Sequence, residues 1–474
     1  MISKNIMENK AIIKEKFNNS DDLILYQFDT LGDTEVLLVY INALIDKKAL
    51  NEFVIKPMKN NLVSAYDIES SIYVSEIQEI FSINESIKEI VDGSVVVYID
   101  GIDTAYAMNM CRYDKRSVAE STVEQVIRGP KESFVEDIYV NKSLIRRKIR
   151  NHNLIFEQFT LGEMTNTQVC IVYIKGIVNK EILEELKARL SKIKTDAVLD
   201  TSYIEEYIDD SPSSLVRTVY HTEKPDVLAG KILEGRIGII CDGSPSVATV
   251  PKIFIEDLMD PEDYYSKPKY SSFLRVIRYL SFFISILLVG SYIAIANFHH
   301  EMVPTQLLIT LAGQREDVPF PSLLEALIMI LFYEIIKEAG LRMPKNVGQT
   351  VTLIGGLVIG QAAVEAGLVS AVMVIIVSAA GIAEFVIPHF REIIVIYRIL
   401  FIILGGLFGL FGIFAGFAIS AFHLLSIKSF GVPYLFPIAP YDKEAMQDFL
   451  RRETIKKMNH RPKYISEPNS RKRN

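Results

Sequence analysis

LEALIMILFYEIIKEAGLRMPKN, residues 324–346, decides how the second half of the chain is read. From Leu324 to Ala339 it is apolar enough to sit in a bilayer, yet it carries Glu325, Glu334, Lys337 and Glu338. A soluble core helix has no use for so much apolar surface, and a plain anchor does not tolerate the acids. The neighbouring sequence resolves the conflict.

Upstream, RVIRYLSFFISILLVGSYIAIANF (275–298) is uncharged from Tyr279 to Phe298, about the ~20 residues that a bilayer crossing needs. Lys267, Lys269, Arg275 and Arg278 flank its start, which places the preceding residues in the cytoplasm. Residues 324–346 then read as the return span. Ser322 and Glu325 have the spacing of a capping box, so Glu325 is expected to cap its own helix at the outer interface. Glu334 lies about two-thirds of the way across, where a carboxylate costs roughly 2–3 kcal/mol and must face protein or water.

No Lys or Arg occurs between Lys345 and Arg391, a segment long enough for a two-span hairpin turning near Ala366–Ser370. Gly356 and Gly360 there suit close helix packing. Gln349, Gln361 and Glu365 do not; Gln361 and Glu365 share one helical face, and with Glu334 the four form a candidate polar path through the membrane. Residues 399–427 are too long for one upright helix and short for two, so broken or re-entrant helices are expected. Five or six membrane-embedded segments follow, with an even number of crossings favoured by a tail that has ten Lys/Arg against five Asp/Glu.

The first half differs in kind. LILYQFDTLGDTEVLLVYINALID (23–46) matches LIFEQFTLGEMTNTQVCIVYIKGIVN (154–179), and IVDGSVVVYIDG (90–101) matches ILEGRIGIICDG (232–243). Two matches in the same order indicate a duplicated unit, whose β-branched runs alternate with charged helical stretches as in an α/β subdomain. Cys170 aligns with Leu37 and Cys241 with Ile99, so both are expected in strands as small core hydrophobes. The three cysteines have no CxxC spacing, and no metal site or disulfide framework is expected. Neither GxxxxGK, GxSxG nor HExxH occurs, so the chain reads as non-enzymatic, without catalytic or cofactor-binding residues. No leading apolar segment precedes the first domain, so no cleaved signal is expected.

The expected organisation is a duplicated α/β cytoplasmic domain, an all-α polytopic membrane domain and a short basic cytoplasmic tail. Its parts are 1–150, 151–270, 271–440 and 441–474, the first including an RGP linker.

Residues 318–390, from VPFPSLLEALIMILFYEIIKEAG to IAEFVIPHF, resemble the core of the GerA-family spore germination proteins. EQVIRGPKESFVEDIYVNKSLIRRKIR (124–150) is similar to the family's RGP hallmark, and GVPYLFPIAP (431–440) also fits. Arg128, Gly129, Pro130 and Glu136 are the structural motif carried over; it is expected to join the repeated units without binding phosphate. The resemblance implies the A subunit of a nutrient germinant receptor, acting with B and C subunits in the spore inner membrane. It further implies a homo-oligomer around a channel that releases ions when nutrients are sensed, with membrane lipids but no nucleic acid as partners. Ser133, Ile330, Ala371 and Glu384 depart from the family pattern. A secondary transporter with Glu334 and Glu365 as coupling sites is the alternative, as is a membrane scaffold that recruits partners.

Overall fold

A computed structural model describes residues 1–62, 68–111, 124, 126–316, 318–343 and 360–467. The duplicated segments form two five-stranded sheets. The first contains β1 (Leu23–Asp29), β2 (Glu35–Ile41), β3 (Gln78–Ile80), β4 (Ser94–Ile99) and β5 (Ala105–Asn109), in the order β1-β2-β4-β5-β3. The second contains β6 (Leu154–Leu161), β7 (Thr167–Ile174), β8 (Tyr220–Thr222), β9 (Ile237–Cys241) and β10 (Val247–Val250), in the order β6-β7-β9-β10-β8. The permutation is the same in both, and the named strand pairs are all antiparallel.

The register matches too. Gln27 faces Leu37 as Gln158 faces Cys170, and Val36 faces Ile99 as Val169 faces Cys241. Cys170 and Cys241 are fully buried, and burial pushes both thiols up to about 12. They pack as hydrophobes.

Helices cover the sheet faces. α1 (Ile6–Lys16) and α2 (Ile83–Asp92) pack on the first sheet; α3 (Ile138–Lys148), α4 (Lys180–Lys192), α5 (Thr201–Ile208) and α6 (Pro225–Leu233) surround the second. The units are joined by a buried ion pair: Arg146 on α3 meets Asp22 beside β1 at 2.7 Å. The amide of Asp21 also donates to the Phe156 carbonyl at 3.0 Å.

The second half is helical: α7 (Pro268–Phe298), α8 (Thr305–Arg315), α9 (Ser322–Arg342), α10 (Ala371–Phe385) and α11 (Arg391–Ser426). Among the described residues, two helices, Pro268–Phe298 and Pro388–Ser426, are long and apolar enough to cross a membrane. α9 is held off that standard by its charges, and α10 by its length of 15 residues.

α11 is not one rod. Gly409 leaves the helical region at φ 60° and ψ −147°, a conformation that L side chains rarely adopt. The chain folds back there: a Cβ on Gly416 would lie 3.2 Å from the Phe401 ring, and one on Gly405 would lie 3.1 Å from Ile413. Gly409 sits against Phe298 at the far end of α7, and His423 returns to within 3.1 Å of Ser214 beside the second sheet. The break expected in the Gly-rich run is therefore a hairpin turn, and its outgoing limb starts at Arg391, eight residues before the charge-free window.

After the hairpin the chain packs on the second unit. Ser429 donates to the Thr218 carbonyl at 2.8 Å, Ser466 bridges Val178, and Phe430, Phe436, Phe449 and Ile465 join that unit's core. Arg275 and Arg278, at the start of α7, are paired rather than free. Arg275 contacts Asp263 at 2.8 Å and Asp448 at 2.7 Å, and Arg278 contacts Asp263 at 2.8 Å.

One local expectation is overturned. Pro321, not Ser322, is the N-cap of α9, and no side-chain capping bond forms there. Ser322 turns to Asn297 at 2.9 Å, while buried Glu325 reaches across to the start of α10. Its carboxylate accepts from the Ser370 amide and hydroxyl, each at 2.6 Å. Glu325 holds the N-cap residue of α10 instead of capping its own helix.

Candidate functional site

Glu334 follows the start of α9 by about 18 Å at ~1.5 Å per residue. A half-buried charge there demands partners, and two basic residues, Lys337 and Arg398, supply them. Lys337, one turn on, is within ion-pair distance of Glu334 and lies 2.8 Å from Glu384 on α10. Arg398, on the outgoing limb of α11, meets the other oxygen of Glu384 at 2.7 Å. Its second guanidinium nitrogen lies 3.6 Å from Glu334.

Arg398 is fully buried, and its Nε donates to the Ser285 carbonyl of α7 at 2.8 Å. One guanidinium thus ties α7, α10 and α11 at one level, and Lys337 adds α9. Two cations balance two carboxylates, which explains how apolar helices carry these charges. Tyr333 completes the group. Its hydroxyl donates to the Gly381 carbonyl at 3.2 Å, and its ring lies 5.3 Å from the Lys337 ammonium.

A cavity of about 610 Å³ opens beside this cluster, between α9, the start of α11 and the second sheet. Glu334 and Lys337 form part of its wall, with Arg217, His221, Lys252 and Arg391 opposite or beside them. Arg217 grips Glu392 through two bonds of 3.0 and 2.6 Å, which links the second unit to the start of α11. Lys252 pairs with Asp257 at 2.8 Å. On the second unit, burial raises the Glu205 carboxyl, but the His221 hydrogen bond at 2.6 Å and the nearby charges of Arg217 and Lys252 hold it below the ordinary glutamate value.

The other residues singled out from sequence lie elsewhere. Gln361 donates to Glu365 at 2.8 Å, and both are exposed, one turn before the Ala366–Ser370 turn. Gln349 and Gly356 fall outside the described residues. Glu334 is therefore not brought together with Gln361 or Glu365; it belongs to the charge cluster. Arg128, Gly129 and Glu136 are exposed and Pro130 is half-buried. The loop that carries them runs along the second unit. Gly129 at φ +132° lies against Tyr265, buried Phe134 donates its amide to the Glu223 carbonyl at 2.7 Å, and the Glu136 carbonyl accepts from Gly243 at 2.8 Å.

Sequence reasoning missed Arg398 and the role of Lys337, and noted Glu384 only as a departure. The available signal was one acid and one base standing alone in separate apolar runs, which calls for mutual pairing.

A model of the Bacillus/Clostridium GerA spore germination protein family matches residues 11–464. The chain belongs to the GerA family of spore germination proteins. Spore germination protein KA of Bacillus subtilis (strain 168) is 38% identical, over 98% of this chain and 88% of that protein. GerLA of Bacillus cereus is 35% identical and spore germination protein A1 of Bacillus subtilis (strain 168) 33% identical, each over 98% of this chain and 96% of its own length. Among solved structures, the N-terminal domain of the A subunit of the Bacillus megaterium spore germinant receptor GerK3 matches 54% of this chain and 97% of that one. Its identity is 28% and its TM-score 0.42. By membership, this GerA-family chain is a spore germination protein.

Proposed function

We propose that this GerA-family chain is the A subunit of a nutrient germinant receptor in the spore inner membrane. It works with B and C subunits and further copies of itself, has five or six membrane-embedded segments, and conducts cations when the receptor is triggered. The two α/β units and the C-terminal segment lie on the cytoplasmic side, one following the other along a shared surface. The RGP loop around Arg128 is a structural joint in this reading. Support for the sidedness comes from the bases Lys267 and Lys269 at the start of α7, Arg342 at the end of α9 and Arg391 at the start of α11; Arg391 lines the cavity beside the second sheet, and Glu338 links it with Arg342.

The observation that carries conduction is the exposed Gln361–Glu365 pair. The helical half also exposes Ile375, Ile382, Phe411 and Phe414, side chains suited to lipid or to another apolar surface. A carboxylate and an amide are costly against lipid, and several copies about one axis would gather them along water. A ring of Glu365 carboxylates would favour cations over anions.

Purified receptor in potassium-loaded liposomes tests this reading. Nutrient-dependent potassium release that does not require a counter-transported solute is the expected result. Flux coupled to a second solute would mark a secondary transporter, and no flux at all a scaffold.

A further inference from the structure

We infer that Glu334 and Glu384 form a binding site for one monovalent cation, and that the Lys337 ammonium occupies it as a tethered cation. The ammonium touches a carboxylate oxygen from α9 and one from α10. It also lies 5.3 Å from the Tyr333 ring centre, and that ring is pinned by the Gly381 carbonyl. Two carboxylates and an aromatic ring are an environment that binds a bare potassium or ammonium ion.

Two further observations point to a ligand site rather than a plain ion pair. Arg398, with no exposed side-chain surface, directs Nη1 toward Glu334 at 3.6 Å, and among the described residues neither Nη1 nor Glu334 Oε1 has a hydrogen-bond partner. Glu334 is thus attracted to Arg398 without being bonded to it, and it can turn toward an incoming ion. The 610 Å³ cavity also reaches both Glu334 and Lys337, so an ion has a route in and the lysine a place to swing out.

Charge decides the consequence. With the ammonium in place the cluster is neutral; with it withdrawn, Arg398 faces two carboxylates and the remaining charge is −1. In a poorly hydrated setting that deficit draws in a small cation. The site stands on side-chain geometry, and its place on a conduction path rests on the function proposed above.

The test uses the full-length protein in detergent. Melting midpoints of wild type, Lys337→Ala and Lys337→Ala/Glu384→Gln are compared in potassium, ammonium and N-methylglucamine chlorides at one ionic strength. Lys337→Ala is expected to melt about 2–4 °C higher in saturating potassium or ammonium than in N-methylglucamine. Wild type and the double variant should show no such difference. A cation-indifferent Lys337→Ala, or a double variant with the same dependence, overturns the proposal. Should Lys337→Ala not be recoverable, Lys337→Gln also vacates the site, and identical melting of that variant in all three salts is equally decisive against it. Liposome flux separates the two readings. Potassium-dependent melting of Lys337→Ala in a receptor that passes no cations keeps the site and removes conduction.

Discussion

The Glu325 carboxylate holds the first turn of another helix, accepting from both the amide and the hydroxyl of Ser370 at 2.6 Å. The two residues are 45 positions apart, and both are buried. This contact fixes where α10 begins relative to α9. It thereby sets the level at which Glu384 meets Lys337.

Removing it should be costly. Glu325→Ala leaves the Ser370 amide and hydroxyl without their acceptor, a loss of about 2–3 kcal/mol for bonds to a charged group. A lower melting midpoint in detergent and faster proteolysis near Ala366–Ser370 are expected. Glu325→Gln retains one acceptor and should fall between. Equal melting of all three proteins would contradict the assignment.

The crossing of α7 with the outgoing limb of α11 depends on two small residues. A Cβ on Gly290 would meet the Phe401 carbonyl, and one on Gly405 would meet the Gly290 carbonyl. Backbone carbonyls cannot give way as a side-chain tip can. Gly290→Ala is expected to destabilise by about 1–3 kcal/mol and to reduce the amount of protein in the membrane. Gly313 on α8 has nothing within 4 Å, so Gly313→Ala is the control and should leave abundance unchanged.

The sheets were legible because strands write their burial into alternating and β-branched runs, and because duplication supplied two copies of each signal. The pairing of Gln158 with Cys170 could be anticipated from Gln27 and Leu37 for that reason. The helical half was legible in kind but not in contact. Capping-box spacing is a local cue, and the partner Glu325 chose lies on another helix. A search for uncharged windows started the last helices at residue 399 and excluded Arg398, whose charge is cancelled by Glu384 rather than by solvent. Charges that neutralise one another across helices leave no mark on one-dimensional hydropathy.

Acid should weaken the face of the second unit that meets the cavity. The folded Glu205 carboxyl lies below its ordinary value of 4.5, because the His221 bond and nearby bases outweigh its burial. Its contribution is therefore full above that value and is lost as pH falls through the lower folded value. Wild type should melt above Glu205→Gln by a margin worth about 1–2 kcal/mol near neutral pH. That margin should hold as pH is lowered to about 4.5 and shrink below it. A margin that stays constant or grows on acidification would contradict the assignment.

Cation passage past Glu365 is the central claim, and one measurement meets it directly. Spores carrying Glu365→Gln in this chain, with receptor abundance matched to wild type, are given nutrient while potassium release is followed over a range of ionic strength. The substitution keeps the shape of the side chain and its reach to Gln361 while removing the charge. The account predicts slower potassium release, by about tenfold at low salt and less as screening increases. Release at the wild-type rate across the whole range would contradict it.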